Sequence, residues 1–116
     1  MEELKIQQKT YDMTQYGYVC LRRFPKSERY TLAAEIKTHM FRIMELILVA
    51  NRRRDKRPAL EELDIELDLL RMYIRLAQDV VDHTAFPVKS YEHWSKMLNE
   101  IGKMLGGWLK SQQHKY

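Results

Sequence analysis

With 116 residues, of which 45% are hydrophobic and 31% charged, the chain has room for one hydrophobic core and is too apolar to be disordered. Four glycines and three prolines are few for a turn-rich all-β protein, so we expect one all-α domain over residues 1–116. The net charge is +4, the single cysteine excludes an internal disulfide, and no apolar run reaches the ~20 residues of a membrane span, which together predict a cytoplasmic protein without membrane contact.

Three proline-containing segments, RFPKS, NRRRDKRPA and HTAFPVKS, divide the chain and predict four helices. We expect these helices at roughly residues 6–23, 28–53, 59–83 and 90–112. Ser27 and Ser90 are predicted to cap the second and fourth helices. Because short connections place consecutive helices antiparallel, the sequence predicts an up-down-up-down four-helix bundle.

The first two helices carry the less regular apolar patterns. The core positions expected in the first helix are Met13, Tyr16, Cys20 and Phe24. Those expected in the second helix are Leu32, Ile36, Met40, Ile43, Ile47 and Ala50. His39 lies beside this second series and is interpreted as a packed, hydrogen-bonded side chain.

The third helix has the clearest pattern, because apolar residues recur at alternating steps of three and four. These residues are Leu60, Leu63, Leu67, Leu70, Ile74, Ala77 and Val81. A second apolar stripe runs beside them and consists of Ile65, Leu69, Met72, Leu76 and Val80. This apolar face is wider than one neighbouring layer requires, so we expect a second copy of the chain to cover it, the alternative being a wide internal face in a monomer.

The fourth helix combines an apolar series with two glycines on one face. The series is Tyr91, Trp94, Leu98, Ile101, Leu105 and Trp108. Each glycine inside a helix costs about 1 kcal/mol relative to alanine. Gly102 and Gly106 therefore predict the close approach of another backbone, either within the bundle or at a contact between subunits.

Bases are concentrated in the first half of the chain. Residues 1–58 hold 13 bases and 7 acids, whereas residues 59–88 hold 2 bases and 7 acids. The cluster at the first turn is Arg22, Arg23, Lys26 and Arg29. The cluster at the second turn is Arg52, Arg53, Arg54, Lys56 and Arg57. In an up-down bundle these turns lie at opposite ends, about 30 Å apart for helices of ~20 residues.

Arg71 and Arg75 are isolated bases in the acidic third helix. They either pair with Asp68 and Asp79 on the same helix or bind a partner. Bases near tyrosines suit RNA, although basic surfaces also bind acidic proteins or keep a protein in solution.

The sequence offers no set of residues for catalysis or for binding a cofactor. No helix carries the Glu-x-x-His pattern of bundle metal sites, and no glycine-rich loop is placed to hold a phosphate. Cys20 lies between apolar neighbours and is interpreted as a core residue, whereas His93 and His114 are expected on the surface. We therefore expect a non-enzymatic protein with no metal and no cofactor.

Four segments carry a resemblance to a known family. FPKSERYTL and EIGKMLGGWLKS resemble the four-helix-bundle family that includes the accessory variability determinant (Avd) of diversity-generating retroelements and the proteins encoded by intervening sequences in 23S ribosomal RNA genes. KTYDM and LDLLRMYIRLAQD are similar to the Avd branch. The similarity extends from about Lys9 to Gln112.

The resemblance implies a non-catalytic bacterial or phage protein that forms a pentameric barrel. Its implied partners are a reverse transcriptase and that enzyme's template RNA and cDNA, in mutagenic reverse transcription and retrohoming. The paired arginines of the family pattern fall on Arg71 and Arg75. The alternative is a protein of the ribosomal intervening-sequence branch, without a polymerase partner, and the neighbouring genes would distinguish the two.

Overall fold

A computed structural model describes residues 2–113, and within this range the chain forms four α-helices and no strand. The helices are α1 (Glu2–Arg22), α2 (Leu32–Arg52), α3 (Arg57–Val80) and α4 (Val88–Gln113), with a short 3₁₀ helix at Lys26–Glu28. α1 and α3 each pack against both α2 and α4. The described residues thus form a four-helix bundle, in which α1 lies diagonally opposite α3 and α2 diagonally opposite α4.

The helix boundaries differ from the predicted ones by up to four residues, at the start of α1, which begins at Glu2 instead of residue 6, and beside the prolines. α2 begins at Leu32 instead of residue 28, because Ser27 belongs to the 3₁₀ helix and does not cap α2. Ser90 lies inside α4, and its backbone N–H donates to the carbonyl oxygen of Pro87 at 3.0 Å. Both predicted serine caps are therefore wrong, since the proline segments start the helical turns earlier or later than the serines.

The core consists of the predicted apolar series and a few residues that the pattern missed. The α3 series from Leu60 to Val81 is 0–4% exposed, which confirms the regular seam. In α1 the buried side chains include Ile6 and Met13, whereas Tyr16 is only partly buried. Cys20 is buried as predicted, and burial raises the pKa of its thiol.

Gly17 lies where α1 approaches α2 and α4. A Cβ at this position would meet the Trp94 ring of α4 at 2.8 Å and the side chain of Met40 in α2. The indole Nε1 of Trp94 also donates to the Met13 sulfur at 3.3 Å. A side chain at position 17 would therefore separate the helices where they pack most closely.

The turns define two ends of the bundle. At the upper end the α1–α2 and α3–α4 connections meet, where Arg23 Nη2 donates to the Thr84 carbonyl oxygen at 3.3 Å. At the lower end the α2–α3 connection lies beside the start of α1, where Asn51 Nδ2 donates to Gln7 Oε1 at 3.4 Å. The two predicted base clusters therefore lie at opposite ends, as expected. None of the helices within residues 2–113 is long and apolar enough to cross a bilayer.

Candidate nucleic-acid interface

The upper end carries a cavity with cationic walls. It has a volume of about 200 Å³ and is bordered by Arg22 of α1, Arg29 of the connection and Lys37 of α2. Its remaining lining residues are Leu21, Phe24, Pro25 and Ala33, so that no carboxylate borders it. Three positive charges around one acid-free depression attract an anion more strongly than the same charges spread over a surface.

Lys37 is the member of this cavity that the sequence analysis missed. Its Nζ also lies 4.9 Å from the centroid of the Tyr18 ring, a cation–π contact that holds the ammonium at the junction of α1 and α2. In the sequence Lys37 is the only lysine or arginine between Arg29 and Arg42. The connection with its 3₁₀ helix at Lys26–Glu28, which was not predicted, joins Arg22 to α2 and places Lys37 at the same cavity as Arg22 and Arg29.

The other predicted bases of the upper end differ in their contacts. Lys26 is exposed and makes no side-chain hydrogen bond or ion pair to any other residue in the range 2–113. Arg23 is held by the Thr84 carbonyl described above. Lys26 is thus free to meet an anion, whereas Arg23 connects the two turns of the upper end.

The lower end has a larger cavity of mixed charge. Its volume is about 630 Å³, and its charged lining residues are Arg42, Arg53, Arg54, Asp55 and Glu62. The two carboxylates repel a polyanion at short range. Although the lower end holds more arginines and a larger cavity, the charges that border the upper-end cavity suit a phosphate better.

Lys56 has a different role from the predicted one. Its Nζ donates to the carbonyl oxygens of Ala50 at 2.9 Å, Asn51 at 3.3 Å and Arg53 at 2.9 Å. These are carbonyl groups at the carboxyl end of α2, which otherwise lack helical partners. All three donors of the ammonium are occupied, so Lys56 caps α2 instead of facing a phosphate.

The remaining predicted bases of the lower end are Arg52 and Arg57. Arg52 is exposed in the last turn of α2. Arg57 is half-buried at the start of α3, and its backbone N–H donates to Asp55 Oδ1 at 3.3 Å. The structure thus keeps Arg52 at the surface, whereas Arg57 also takes part in the turn.

Arg71 is packed into the groove between α3 and α4. Its Nη1 donates to Asp68 Oδ1 at 2.8 Å, and its Nη2 donates to the Leu98 carbonyl oxygen at 3.4 Å. The guanidinium lies over Gly102, where a Cβ would overlap Nη2. The close neighbour of Gly102 is therefore a side chain, whereas the sequence predicted a backbone. Arg71 pairs with Asp68 on its own helix, which is one of the two interpretations given for it above.

Arg75 remains available in the same groove. Its side chain makes no hydrogen bond or ion pair to another residue of the described part of the chain, Asp79 included. The groove has a volume of about 360 Å³, and its polar lining beside the two arginines comes from Tyr91, Ser95 and Asn99 of α4. Arg75 is thus a free cation beside neutral hydrogen-bonding groups.

The same groove borders the second apolar stripe of α3. Ile65, Met72, Leu76 and Val80 are 46–68% exposed, and Met72 lines the groove together with Arg75. Leu69 is partly buried. The predicted subunit contact and the predicted nucleic-acid contact at Arg71 and Arg75 therefore adjoin at Met72.

Gly106 continues the glycine face of α4 toward the lower end. It is exposed, and no described atom lies within 4 Å of a Cβ built on it. Gly107 has the same open surroundings. Within residues 2–113 the bundle therefore gives no packing reason for Gly106, which leaves a contact with another chain as its predicted role.

A second exposed apolar surface lies on the opposite side of the bundle, where α1 packs against α2. Tyr11 and Val19 of α1 and Phe41 and Leu48 of α2 are 43–53% exposed. A groove of about 270 Å³ runs between Tyr11 and Leu48. The bundle thus presents one apolar face between α1 and α2 and another along α3.

His39 is a structural side chain, as predicted. Its Nδ1 lies 2.5 Å from Glu66 Oε2 of α3, and its ring stacks on Tyr73 with centroids 5.1 Å apart. No group of three or more His, Cys, Asp or Glu side chains in the described range could hold a metal ion. His93 is exposed as expected, and His114 lies outside the described residues.

Comparison with known proteins assigns the bundle to a family. No curated protein sequence matches the chain. The sequence model of the family described as bAvd-like matches residues 4–112, which is nearly all of the described bundle. The match includes both base clusters and the whole of the α3–α4 groove. The chain therefore belongs to the bAvd-like family, the Avd type of four-helix-bundle protein.

Proposed function

We propose that this protein is a non-catalytic, cytoplasmic accessory protein of a diversity-generating retroelement. It binds the reverse transcriptase and the template RNA, and it supports mutagenic reverse transcription and retrohoming. The observation that carries this proposal is the bAvd-like match over residues 4–112. The geometry adds two features that suit such a role, exposed cations and exposed apolar faces.

The cations support binding to the nucleic-acid backbone. Arg22, Lys26 and Arg29 are exposed at the upper end, and Arg52 and Arg53 are exposed at the lower end. Lysine and arginine at such positions neutralise phosphates and release counterions, which gives affinity without reading sequence. This kind of contact suits a protein that holds a template strand by its backbone.

The apolar faces support self-association. The α1–α2 face and the exposed stripe of α3 lie on different helices, so the first surface of one copy can cover the second surface of the next. Such a head-to-tail contact closes into a ring when the rotation between copies allows it. The pentameric barrel implied by the resemblance is one such ring, and Ile65, Met72 and Leu76 lie at its proposed contact.

This arrangement changes the role proposed for the arginines of α3. The α3–α4 groove borders the proposed subunit contact at Met72, and Arg71 in that groove is already paired with Asp68. We therefore assign Arg75 to the contact between subunits and the nucleic acid to the two ends of the bundle. Arg71 supports the groove through its bonds to Asp68 and the Leu98 carbonyl.

Co-purification tests the proposed function. The tagged protein is co-expressed with the reverse transcriptase and template RNA encoded beside its gene, and the captured material is examined with and without ribonuclease. We expect both partners to be retained, with RNA retention falling steeply as salt rises, because each neutralised phosphate releases counterions. Capture of neither partner would reject the proposal. A gene neighbourhood without a reverse transcriptase would favour the ribosomal intervening-sequence alternative.

A further inference from the structure

We propose that the upper-end cavity bordered by Arg22, Arg29 and Lys37 is a discrete site for one phosphate monoester, such as the phosphorylated 5′ end of a nucleic-acid strand. The inference rests on the proposed RNA binding for the source of the phosphate, whereas the site itself follows from the cavity. It goes beyond a general basic surface, because it assigns one phosphate group to three named side chains from three different segments.

The size of the cavity favours a single group over a whole molecule. Its volume of about 200 Å³ is below the roughly 300–1,000 Å³ of pockets that hold complete small ligands. Leu21, Phe24 and Ala33 lie on its apolar side and are 5–8% exposed, so the depression is closed from below by the core. A phosphate therefore enters from outside, with the rest of its molecule remaining at the surface.

The charge of the cavity favours a dianion. Arg22, Arg29 and Lys37 supply three positive charges, and no lining residue is acidic. Glu28, on the adjacent 3₁₀ helix, accepts a hydrogen bond from the Thr31 hydroxyl at 2.9 Å and does not border the cavity. A phosphate monoester carries about −1.5 to −2 charges at pH 7, against one for a diester within a strand.

The side chains supply the donors that a phosphate needs. Two guanidinium groups present planar pairs of N–H donors, which match two phosphate oxygens, and the lysine ammonium adds a point charge. The side chains of Arg22, Arg29 and Lys37 form no hydrogen bond or ion pair with any residue in the range 2–113, apart from the contact of Lys37 with the Tyr18 ring. The donors are therefore available without breaking existing bonds.

Binding of matched oligonucleotides to the full chain tests the inference. The probes are a single-stranded RNA labelled at its 3′ end with either a 5′-phosphate or a 5′-hydroxyl, and their dissociation constants are measured by fluorescence anisotropy. We expect the phosphorylated strand to bind about tenfold more tightly, the gain of one charge-assisted contact. Equal affinities for the two strands would overturn the proposal.

Substitutions at the cavity show which side chains produce the preference for the 5′-phosphate. Arg29→Gln and Lys37→Gln should each remove most of the preference for the 5′-phosphate. Lys26→Gln is the matched control, because this exposed cation of the same end lies outside the cavity, and it should weaken both strands equally. If Lys26→Gln removed the preference as fully as Lys37→Gln, the cavity would not be the site.

Competition identifies the source of the phosphate. Inorganic phosphate and adenosine monophosphate are added to the complex with the phosphorylated strand. Displacement only at concentrations far above that of the strand supports a strand end as the ligand. Displacement by adenosine monophosphate at similar concentrations supports the same site with a free nucleotide as its occupant. If the protein bound no RNA but bound adenosine monophosphate, and Lys37→Gln abolished that binding, the proposed function would be contradicted and the phosphate site would be supported.

Discussion

The guanidinium of Arg71 occupies the space that a side chain at Gly102 would need, and it does so across the α3–α4 contact. The glycine costs about 1 kcal/mol of helix stability relative to alanine. In return Arg71 reaches Asp68 and the carbonyl of Leu98. Gly102, which lowers the helix propensity of α4, thus leaves room for a cation held in the groove between two helices.

Alanine at position 102 should therefore stabilise the protein less than alanine at position 107. Gly107→Ala meets no atom within 4 Å and should gain about 1 kcal/mol in the free energy of unfolding. Gly102→Ala gains the same propensity but displaces Arg71, at a cost of about 1 kcal/mol for the lost hydrogen bonds. Urea unfolding at one protein concentration measures both, and equal gains would show that Arg71 is not held over Gly102.

The contact between His39 and Glu66 should stabilise the packing of α2 on α3. Both side chains are 12–14% exposed, so removing one leaves its partner unpaired at a place that water reaches poorly. We expect Glu66→Ala to cost about 1–3 kcal/mol. Glu35→Ala is the control, since Glu35 is 55% exposed and lies 3.7 Å from the same ring. Glu35→Ala should lower the free energy of unfolding by only a few tenths of a kcal/mol. A similar loss of stability in both variants would contradict the role assigned to the contact between His39 and Glu66.

Much of the bundle could be predicted from the sequence, because the apolar period of a helix is a local property. The α3 series from Leu60 to Val81 repeats regularly and is buried throughout. The extra stripe around Met72 was also visible in the sequence, and its exposure confirms that one bundle does not cover it. The residues of the α1 core were harder to predict, because Thr10 and Gly17 are buried without being apolar markers.

The candidate site was less predictable, because it depends on turns and on side-chain directions. Charge density along the sequence favoured residues 52–57, but Lys56 turns inward there and Asp55 borders the cavity. The upper-end cavity joins residues 22, 29 and 37 through a 3₁₀ turn that no local pattern indicated. Arg71 and Arg75 looked equivalent in the sequence. In the structure the side chain of Arg71 is hydrogen-bonded, whereas that of Arg75 has no partner within residues 2–113.

Lys56 should contribute to stability rather than to nucleic-acid binding. Lys56→Met removes three hydrogen bonds to the end of α2 and should lower the free energy of unfolding by about 1–2 kcal/mol. Arg52→Met is the matched control on the same turn and should leave stability nearly unchanged. RNA affinity should show the opposite order, with the larger loss for Arg52→Met. A larger loss of RNA affinity for Lys56→Met would restore the phosphate role predicted from the sequence.

Arg75 and Arg29 should separate self-association from RNA binding. Arg75→Glu places a negative charge in the proposed subunit contact and should weaken self-association by at least about tenfold. Arg29→Glu should leave the assembly unchanged and weaken RNA binding, because Arg29 borders the upper-end cavity. Sedimentation velocity and fluorescence anisotropy on both variants distinguish the effects. If Arg75→Glu lost RNA affinity while its assembly was unchanged, the α3–α4 groove would be a nucleic-acid contact and not a subunit contact.

The mass of the purified protein in solution, measured by sedimentation equilibrium, tests most directly whether copies join through the exposed face of α3. We predict a species several times the 14.0 kDa of one chain, and a shift toward 14.0 kDa in Met72→Glu, whose side chain is 68% exposed in the single bundle. A unit mass of 14.0 kDa for the unaltered protein at high concentration would contradict the proposed assembly.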